Sequence, residues 1–199
     1  MLISCDNSWL VIDTLCEHAM EGNAAVACFY FNFADQEQQS PAAVLGSVLK
    51  HIIGRLDKIP ETIVQAFRRQ KEVVGGQRLM LSEIENFLQD VTSSRPTFIC
   101  IDALDECQAG HRAKLLDSLN RILKKSPEVR LFLTGRQHIR AEVERRLGER
   151  AASRSITPTK NDMITFLRAK LDDDEMPDAM EESLKEEIIQ RLPETVSEM

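Results

Sequence analysis

Thr97-Phe98-Ile99-Cys100-Ile101-Asp102-Ala103-Leu104-Asp105-Glu106 is the stretch that decides the fold. An apolar run of strand length ends in one carboxylate, Asp102, and two more, Asp105 and Glu106, follow within four residues. Arg95-Pro96 leads into the run, and such a segment between turn signals reads as a strand buried on both faces.

Working outward, the same pattern recurs on either side. Ala24 to Phe33 is nearly continuous apolar and aromatic, and Val129 to Thr134 ends at Gly135-Arg136, so both read as strands. Helical stripes separate them. Trp9 to Met20 reads as a helix closed by Gly22-Asn23. Ser40-Pro41 supplies an N-cap and a first-turn proline. The helix they open carries Val44, Leu45, Val48, Leu49, Ile52, Ile53 and Leu56 at 3.6-residue spacing. Pro60 opens another with Ile63, Val64 and Phe67, broken at Gly75-Gly76. Ser82 with Glu85 reads as a capping box ahead of Ile84, Phe87, Leu88 and Val91. Leu115, Leu116, Leu119, Ile122 and Leu123 mark the helix after Glu106, stopped by Ser126-Pro127. Ile139, Val143 and Leu147 mark one closed by Gly148.

Arg154 to Thr157 reads as a short last strand. From Pro158 the pattern turns purely helical, with Met163, Ile164, Leu167, Leu171, Leu184, Ile188 and Leu192 as its stripe. Asp172-Asp173-Asp174-Glu175 reads as a solvated loop. Strands alternating with helices predict an α/β domain, a parallel sheet covered on both faces. The switch to all-helix places a boundary at 157/158.

Composition narrows the function classes. The chain has 199 residues, 43% hydrophobic and 29% charged, with net charge −7. That is globular composition, and without a basic footprint it argues against nucleic acid as a partner. No apolar run approaches the ~20 residues of a membrane span, and Met1 to Asn7 is no secretory signal. Five cysteines, Cys5, Cys16, Cys28, Cys100 and Cys107, form no CxxC pair, and the four histidines show no ligand spacing with them. They read as buried free thiols in a reducing compartment, the cytoplasm, and not as a zinc site.

In a parallel sheet, ligands bind beyond the carboxyl ends of the strands. Asp102 at such an end suits Mg²⁺ held through water, since magnesium takes one or two carboxylates plus substrate phosphates. Asp105 or Glu106, a turn further, suits orienting and polarising a water. Arg136, at the next strand end, suits stabilising charge on a transferred phosphoryl group. The plainer alternatives are that Asp102 caps the next helix, that Asp105 and Glu106 are first-turn acids, and that Arg136 is an exposed helix-start arginine. No aromatic platform supports a carbohydrate site; Tyr30 and Trp9 read as core, and Asp35 to Gln39 as a polar loop. No histidine sits in a Ser/His/Asp or Cys/His arrangement.

Three segments resemble the NACHT class of signal-transducing P-loop NTPases, in particular the nephrocystin-like N-terminal domains of fungal ankyrin-repeat and NOD-like-receptor-type proteins. Cys28-Phe29-Tyr30-Phe31-Asn32-Phe33 with Asp35-Gln36-Glu37 and Gln39-Ser40-Pro41 is similar to the family's second strand and loop. Phe98 to Cys107 is similar to its Walker B motif. Phe132-Leu133-Thr134-Gly135-Arg136 is similar to its sensor strand, with Gly135 where a serine is usual.

The resemblance implies a three-layer P-loop NTPase fold. Asp102 would hold Mg²⁺ through water, Asp105 or Glu106 would place the attacking water, and Arg136 would sense the γ-phosphate of ATP or GTP. Its partners would be nucleotide and the other domains of a parent receptor, such as ankyrin repeats. The family's Gly-x-x-x-x-Gly-Lys-Ser/Thr loop occurs nowhere in the 199 residues. In the family's strand order, five-one-four-three-two, the strand carrying that loop lies between the sensor strand and the last. The expectation is therefore a partial NTPase core over 1–157 without its first strand, followed over 158–199 by the beginning of a helical subdomain. Such a chain would retain the acid and sensor side without hydrolysing nucleotide alone. The competing expectations are a non-catalytic interaction scaffold and a gene fragment without function.

Overall fold

The computed structural model describes residues 11–17, 19, 23–36, 38–72, 79–93, 95–148, 152–156, 159–172 and 180–197. Two compact units, Met1–Ser153 and Arg154–Met199, make up the chain.

The first unit is built on a parallel sheet of three strands among the described residues: β1 (Ala25–Tyr30), β2 (Thr97–Asp102) and β3 (Val129–Leu133), in the order β1-β2-β3. Register runs from Ala25 opposite Thr97 to Tyr30 opposite Asp102, and from Thr97 opposite Val129 to Ile101 opposite Leu133. The strand over Thr97 to Asp102 has the ends read from the sequence. It is central, and five of its six residues, Thr97 and Ile99 to Asp102, are buried.

Helices cover both faces. One face carries α2 (Pro41–Ile53), α4 (Leu81–Thr92), α5 (Ala109–Lys125) and α6 (Arg140–Leu147), packed with Ala25, Ala27, Ile99, Ile101 and Val129 into one core. The helix α3 (Glu61–Glu72) adds Ile63 to that core. The other face carries residues 11–17, helix α1, whose Ile12 packs with Val26, Cys100, Phe98 and Phe132. The period-two alternation of the strands sorts their side chains between these faces. The result is the expected three-layer α/β class of P-loop NTPase type followed by helices. Adjacent β1, β2 and β3 reproduce the order that the resemblance assigns to its second, third and fourth strands.

Most helices form where the stripes place them. Ser40 caps α2 by accepting from the Ala43 N–H at 3.3 Å, and Val44, Leu45, Val48, Leu49 and Ile52 are almost wholly buried. In α5, Leu115, Leu116, Leu119 and Ile122 are fully buried. At about 2 kcal/mol for each buried large aliphatic side chain, those four contribute on the order of 8 kcal/mol.

Several local expectations are corrected. The strand read over Ala24 to Phe33 stops at Tyr30, because β2 ends opposite it and Asn32 starts a turn by accepting from the Ala34 N–H at 3.0 Å. Tyr30 is 38% exposed and not core, since it ends an edge strand beyond the helical cover; Trp9 lies outside the described residues. Ser82 does not cap α4. That helix begins at Leu81, so Ser82 is already inside it, and Glu83 accepts from the Met80 N–H at 3.0 Å instead. Glu85 is released to form a forked pair with Arg121, at 2.6 and 2.9 Å. Phe67 is 40% exposed on α3, where Ala66 takes the buried position. Arg154 to Ile156 form no strand, and Thr157 lies outside the described residues. A strand needs a partner for its backbone, and no described strand flanks β3 on the side away from β2. Gly75-Gly76 and residues 173–175 lie outside the described residues.

The second unit pairs α7 (Lys160–Asp172) with α8 (Glu182–Ser197). Thr159 opens α7: its hydroxyl accepts from the Asp162 N–H at 3.2 Å, and the Asp162 carboxylate accepts from the Thr159 N–H at 2.8 Å. Met163, Ile164, Leu167, Leu171 and Ile188 are half-buried, but Leu184 and Leu192 are each 47% exposed, outside the expected stripe. A helix with one packed neighbour buries a narrow stripe rather than a broad face. No helix among the described residues is long and apolar enough to cross a membrane.

Candidate functional site

The carboxyl ends of β2 and β3 converge on a set of polar groups. Asp102, the last residue of β2, is 7% exposed. The Thr134 hydroxyl, one residue past β3, donates a short hydrogen bond to Asp102 Oδ1 and accepts from the Ala103 N–H at 3.0 Å. The Thr134 N–H donates to the Ile101 carbonyl at 3.0 Å, and its carbonyl accepts from the Leu104 N–H at 2.9 Å. Thr134 thus continues the ladder beyond the strand and holds the aspartate by its side chain.

Immediately after Asp102 the backbone turns sharply. Ala103 is left-handed (φ 54°, ψ 43°), and a 3₁₀ turn follows over Leu104–Glu106. The next helix, α5, is capped at Gln108, so Asp102 does not cap it and Asp105 and Glu106 lie in the turn before it. Asp102 is thus no helix cap, while Asp105 and Glu106 are acids in the first turn of the 3₁₀ segment, half-buried rather than solvated.

Arg136 is the exposed residue at the start of the 3₁₀ turn Gln137–Ile139, as the plainer reading has it, and it also sits beside Asp105. Its backbone N–H donates to Asp105 Oδ1 at 3.2 Å, and its Nε lies 3.3 Å from Oδ2. The carboxylate of the pair is 8% exposed and the guanidine side chain 55%. Asp105 is therefore engaged by Arg136 on both oxygens. Glu106 is half-buried, and its backbone carbonyl accepts from the Gln36 side-chain amide at 2.7 Å, tying in the turn that follows β1.

Gly135 lies between these parts. A Cβ there would lie 2.7 Å from Ile139 Cδ1 and 3.4 Å from both the Asp105 nitrogen and Oδ1. Opposite Asp102 in the register stands Tyr30. Burial, followed by the nearby Cys28 and Asp102 charges, pushes its phenol up to about 12.

The structure thus joins Asp102 to Thr134 and Asp105 to Arg136, with Glu106 in the same turn. Sequence reasoning missed Thr134 as a ligand-orienting group, Gln36, and Arg112. The last is 11% exposed in its side chain, and donates to the Cys107 carbonyl at 2.9 Å and to Glu142 at 2.9 Å, bracing the turn from α5 against α6. A threonine following a strand that neighbours an acid-ended strand was the available signal for Thr134. Nothing local in the sequence marks Arg112.

Mg²⁺ fits Asp102 in one manner. Oδ1 is occupied by Thr134, leaving one oxygen for the water shell of a cation that prefers few carboxylates and many waters. Among the described residues no group of three or more His, Cys, Asp or Glu is placed to hold a metal by itself.

The family model described as Nephrocystin 3, N-terminal matches residues 8–136. The chain belongs to that family. Asp102, Asp105, Glu106, Thr134 and Arg136 all fall within the nephrocystin 3 N-terminal span, which ends on Arg136. No curated protein and no solved structure matches the chain.

Proposed function

We propose that this nephrocystin 3 N-terminal domain is a partial NACHT-type nucleotide-binding module of a cytosolic signalling receptor. It supplies the Mg²⁺ and sensor side of a nucleotide site and does not hydrolyse ATP or GTP by itself. The observation that carries this reading is Asp102, buried at the end of the central parallel strand and oriented by Thr134. Mg²⁺ bound through water at Asp102 would neutralise triphosphate charge. Because Asp105 is committed to Arg136, Glu106 is the acid that positions water, and Arg136 is the cation that meets phosphate on leaving Asp105. No Gly-x-x-x-x-Gly-Lys-Ser/Thr sequence occurs in the 199 residues, so the backbone cradle for the phosphates is not among them.

Titration of the purified chain with Mg²⁺-ATP and Mg²⁺-GTP, followed by amide NMR, tests the reading. The expected result is a millimolar response confined to Asp102, Thr134, Glu106 and Arg136, lost in Asp102→Ala, with no phosphate release. Micromolar, Mg²⁺-dependent affinity would overturn the assigned incompetence. Silence at those residues up to millimolar nucleotide would favour the second reading, a non-catalytic interaction scaffold. The mutual neutralisation of Asp105 and Arg136 is the observation on that side.

A further inference from the structure

Three cysteines outside the acid cluster meet on the α1 face of the sheet. Cys28 on β1 stands directly opposite Cys100 on β2. Both belong to the apolar cluster that includes Cys16 of α1, Phe98 and Phe132. Cys100 is buried at 1% exposure, while Cys28 is half-buried, and both are free thiols. Residues opposite one another in a parallel pair share a face, and neighbouring strands lie about 4.8 Å apart. That spacing falls within the ~4.4–6.8 Å separation of Cα atoms that a disulfide spans. The pair lies one same-face step before Tyr30 and Asp102 along the two strands.

We propose that Cys28 and Cys100 form a peroxide-responsive thiol pair in which Cys28 is attacked first and Cys100 resolves it into a cross-strand disulfide. This proposal is independent of the nucleotide reading. Exposure sets the order, because Cys28 is the half-buried residue of the pair and Cys100 the buried one. Electrostatics agree: the hydrogen bond from Cys100 holds the Cys28 thiol below its usual range, against burial and with help from the Arg55 charge. Donating that bond, together with burial, pushes Cys100 up.

In the first step the Cys28 thiolate attacks one peroxide oxygen. The O–O bond breaks, hydroxide leaves and takes up a proton as water, and Cys28 becomes a sulfenic acid. In the second, the Cys100 sulfur gives up its proton and attacks the Cys28 sulfur, expelling the hydroxyl as a second water. The two sulfurs lose two electrons, which reduce the peroxide to two waters.

The test is treatment of the folded chain with hydrogen peroxide, alkylation of remaining thiols after unfolding, and peptide mapping by mass spectrometry. The expected product has lost two hydrogens, with the peptide of Cys28 joined to that of Cys100. It is reversed by dithiothreitol, retained in Cys16→Ser and absent from Cys28→Ser. The unsubstituted protein alone decides the matter if a variant fails to fold. A bridge to Cys16, Cys5 or Cys107, over-oxidation of Cys28 with Cys100 still alkylatable, or unchanged mass would each overturn the proposal.

Discussion

Replacing Thr134 by valine probes the joint on which the candidate site rests. The side chain keeps its shape and loses only the hydroxyl, which donates to Asp102 Oδ1 and accepts from the Ala103 N–H. A hydrogen bond to an ionised acceptor contributes about 1.5–3 kcal/mol, and an orphaned backbone N–H costs about 1–3 kcal/mol. Thr134 is only half-buried, so water recovers part of the second loss, and its low end applies. The expected destabilisation is about 2–4 kcal/mol, a large share of the ~5–15 kcal/mol that holds a domain.

In urea, with a slope of about 2 kcal/mol per molar, the midpoint falls by about 1–2 M. Thr134→Ser retains both bonds and stays near the parent. In a double-mutant cycle with Asp102→Ala the two sites couple by about 1 kcal/mol or more, because they share one bond. A Thr134→Val midpoint within about 0.3 M of the parent, or strict additivity with Asp102→Ala, would refute the reasoning.

Other perturbations read other parts of the fold. Arg121→Ala removes the forked partner of Glu85, whose side chain is 10% exposed. Arg121 is itself half-exposed, so the expected loss by chemical denaturation is about 1–2 kcal/mol rather than the full cost of breaking a buried pair. The hydrogen bonds from Arg121 hold the Glu85 carboxyl below its usual range. Its contribution is therefore complete above the unfolded carboxylate value of ~4.3 and disappears as pH falls through the depressed folded value, a dependence absent from Glu85→Gln. Ala103→Gly relieves the left-handed backbone but adds chain entropy, so melting shows a net gain of about 0–1 kcal/mol, whereas Ala103→Val is destabilising. Hydrogen bonds from Thr159 hold Asp162 below its usual range, so helicity from α7, followed by circular dichroism, declines as pH falls through that depressed value and does so less in Thr159→Ala. Leu119→Ala empties a fully buried position and costs about 2–5 kcal/mol in denaturant.

What was legible in the sequence was what local pattern controls. The run from Thr97 to Asp102 has the right length and composition for a doubly covered strand, and it is one. Ser40-Pro41 and the stripe from Val44 carry their own start signal and period, so α2 starts as read, but it ends at Ile53 and leaves Leu56, read into the stripe, beyond the Gly54 cap. Errors arose where two local signals competed or a neighbour decided. Ser82 reads as the cap of α4, but the helix begins at Leu81, with Met80 at the N-cap and Glu83 closing on it. Tyr30 is aromatic in an apolar run, but its exposure depends on where β2 ends, 72 residues later. At the site, Asp102, Asp105, Glu106 and Arg136 could be nominated from strand ends alone. Their pairing could not. Asp102 with Thr134 is a contact across 32 residues, Asp105 with Arg136 one across 31, and Gln36 with Glu106 one across 70. Such contacts follow from register, which sequence periodicity leaves free until the strands are aligned.

That alignment also explains why the two acids are held differently. Asp102 lies in the ladder and is held by the strand beside it, so its position is as fixed as the sheet. Asp105 lies one turn beyond, reached through a left-handed residue, and is positioned by a charge from the following strand end. The buried carboxylate anchors that pair while the exposed guanidine remains within reach of solvent. At position 135, between the two strand ends, a Cβ would need only the end of the Ile139 side chain to shift and would meet Asp105 at 3.4 Å. Under the proposed function this asymmetry is useful: the metal side would stay rigid, and the phosphate-sensing cation would exchange one negatively charged partner for another. On that proposal a triphosphate, with more charge than a single carboxylate, would draw Arg136 across and leave Asp105 in the Leu104–Glu106 turn, which Gln36 connects to the end of β1 and Arg112 to α6. Occupancy at the mouth of the sheet would then be felt at both flanks of the domain through these two side chains.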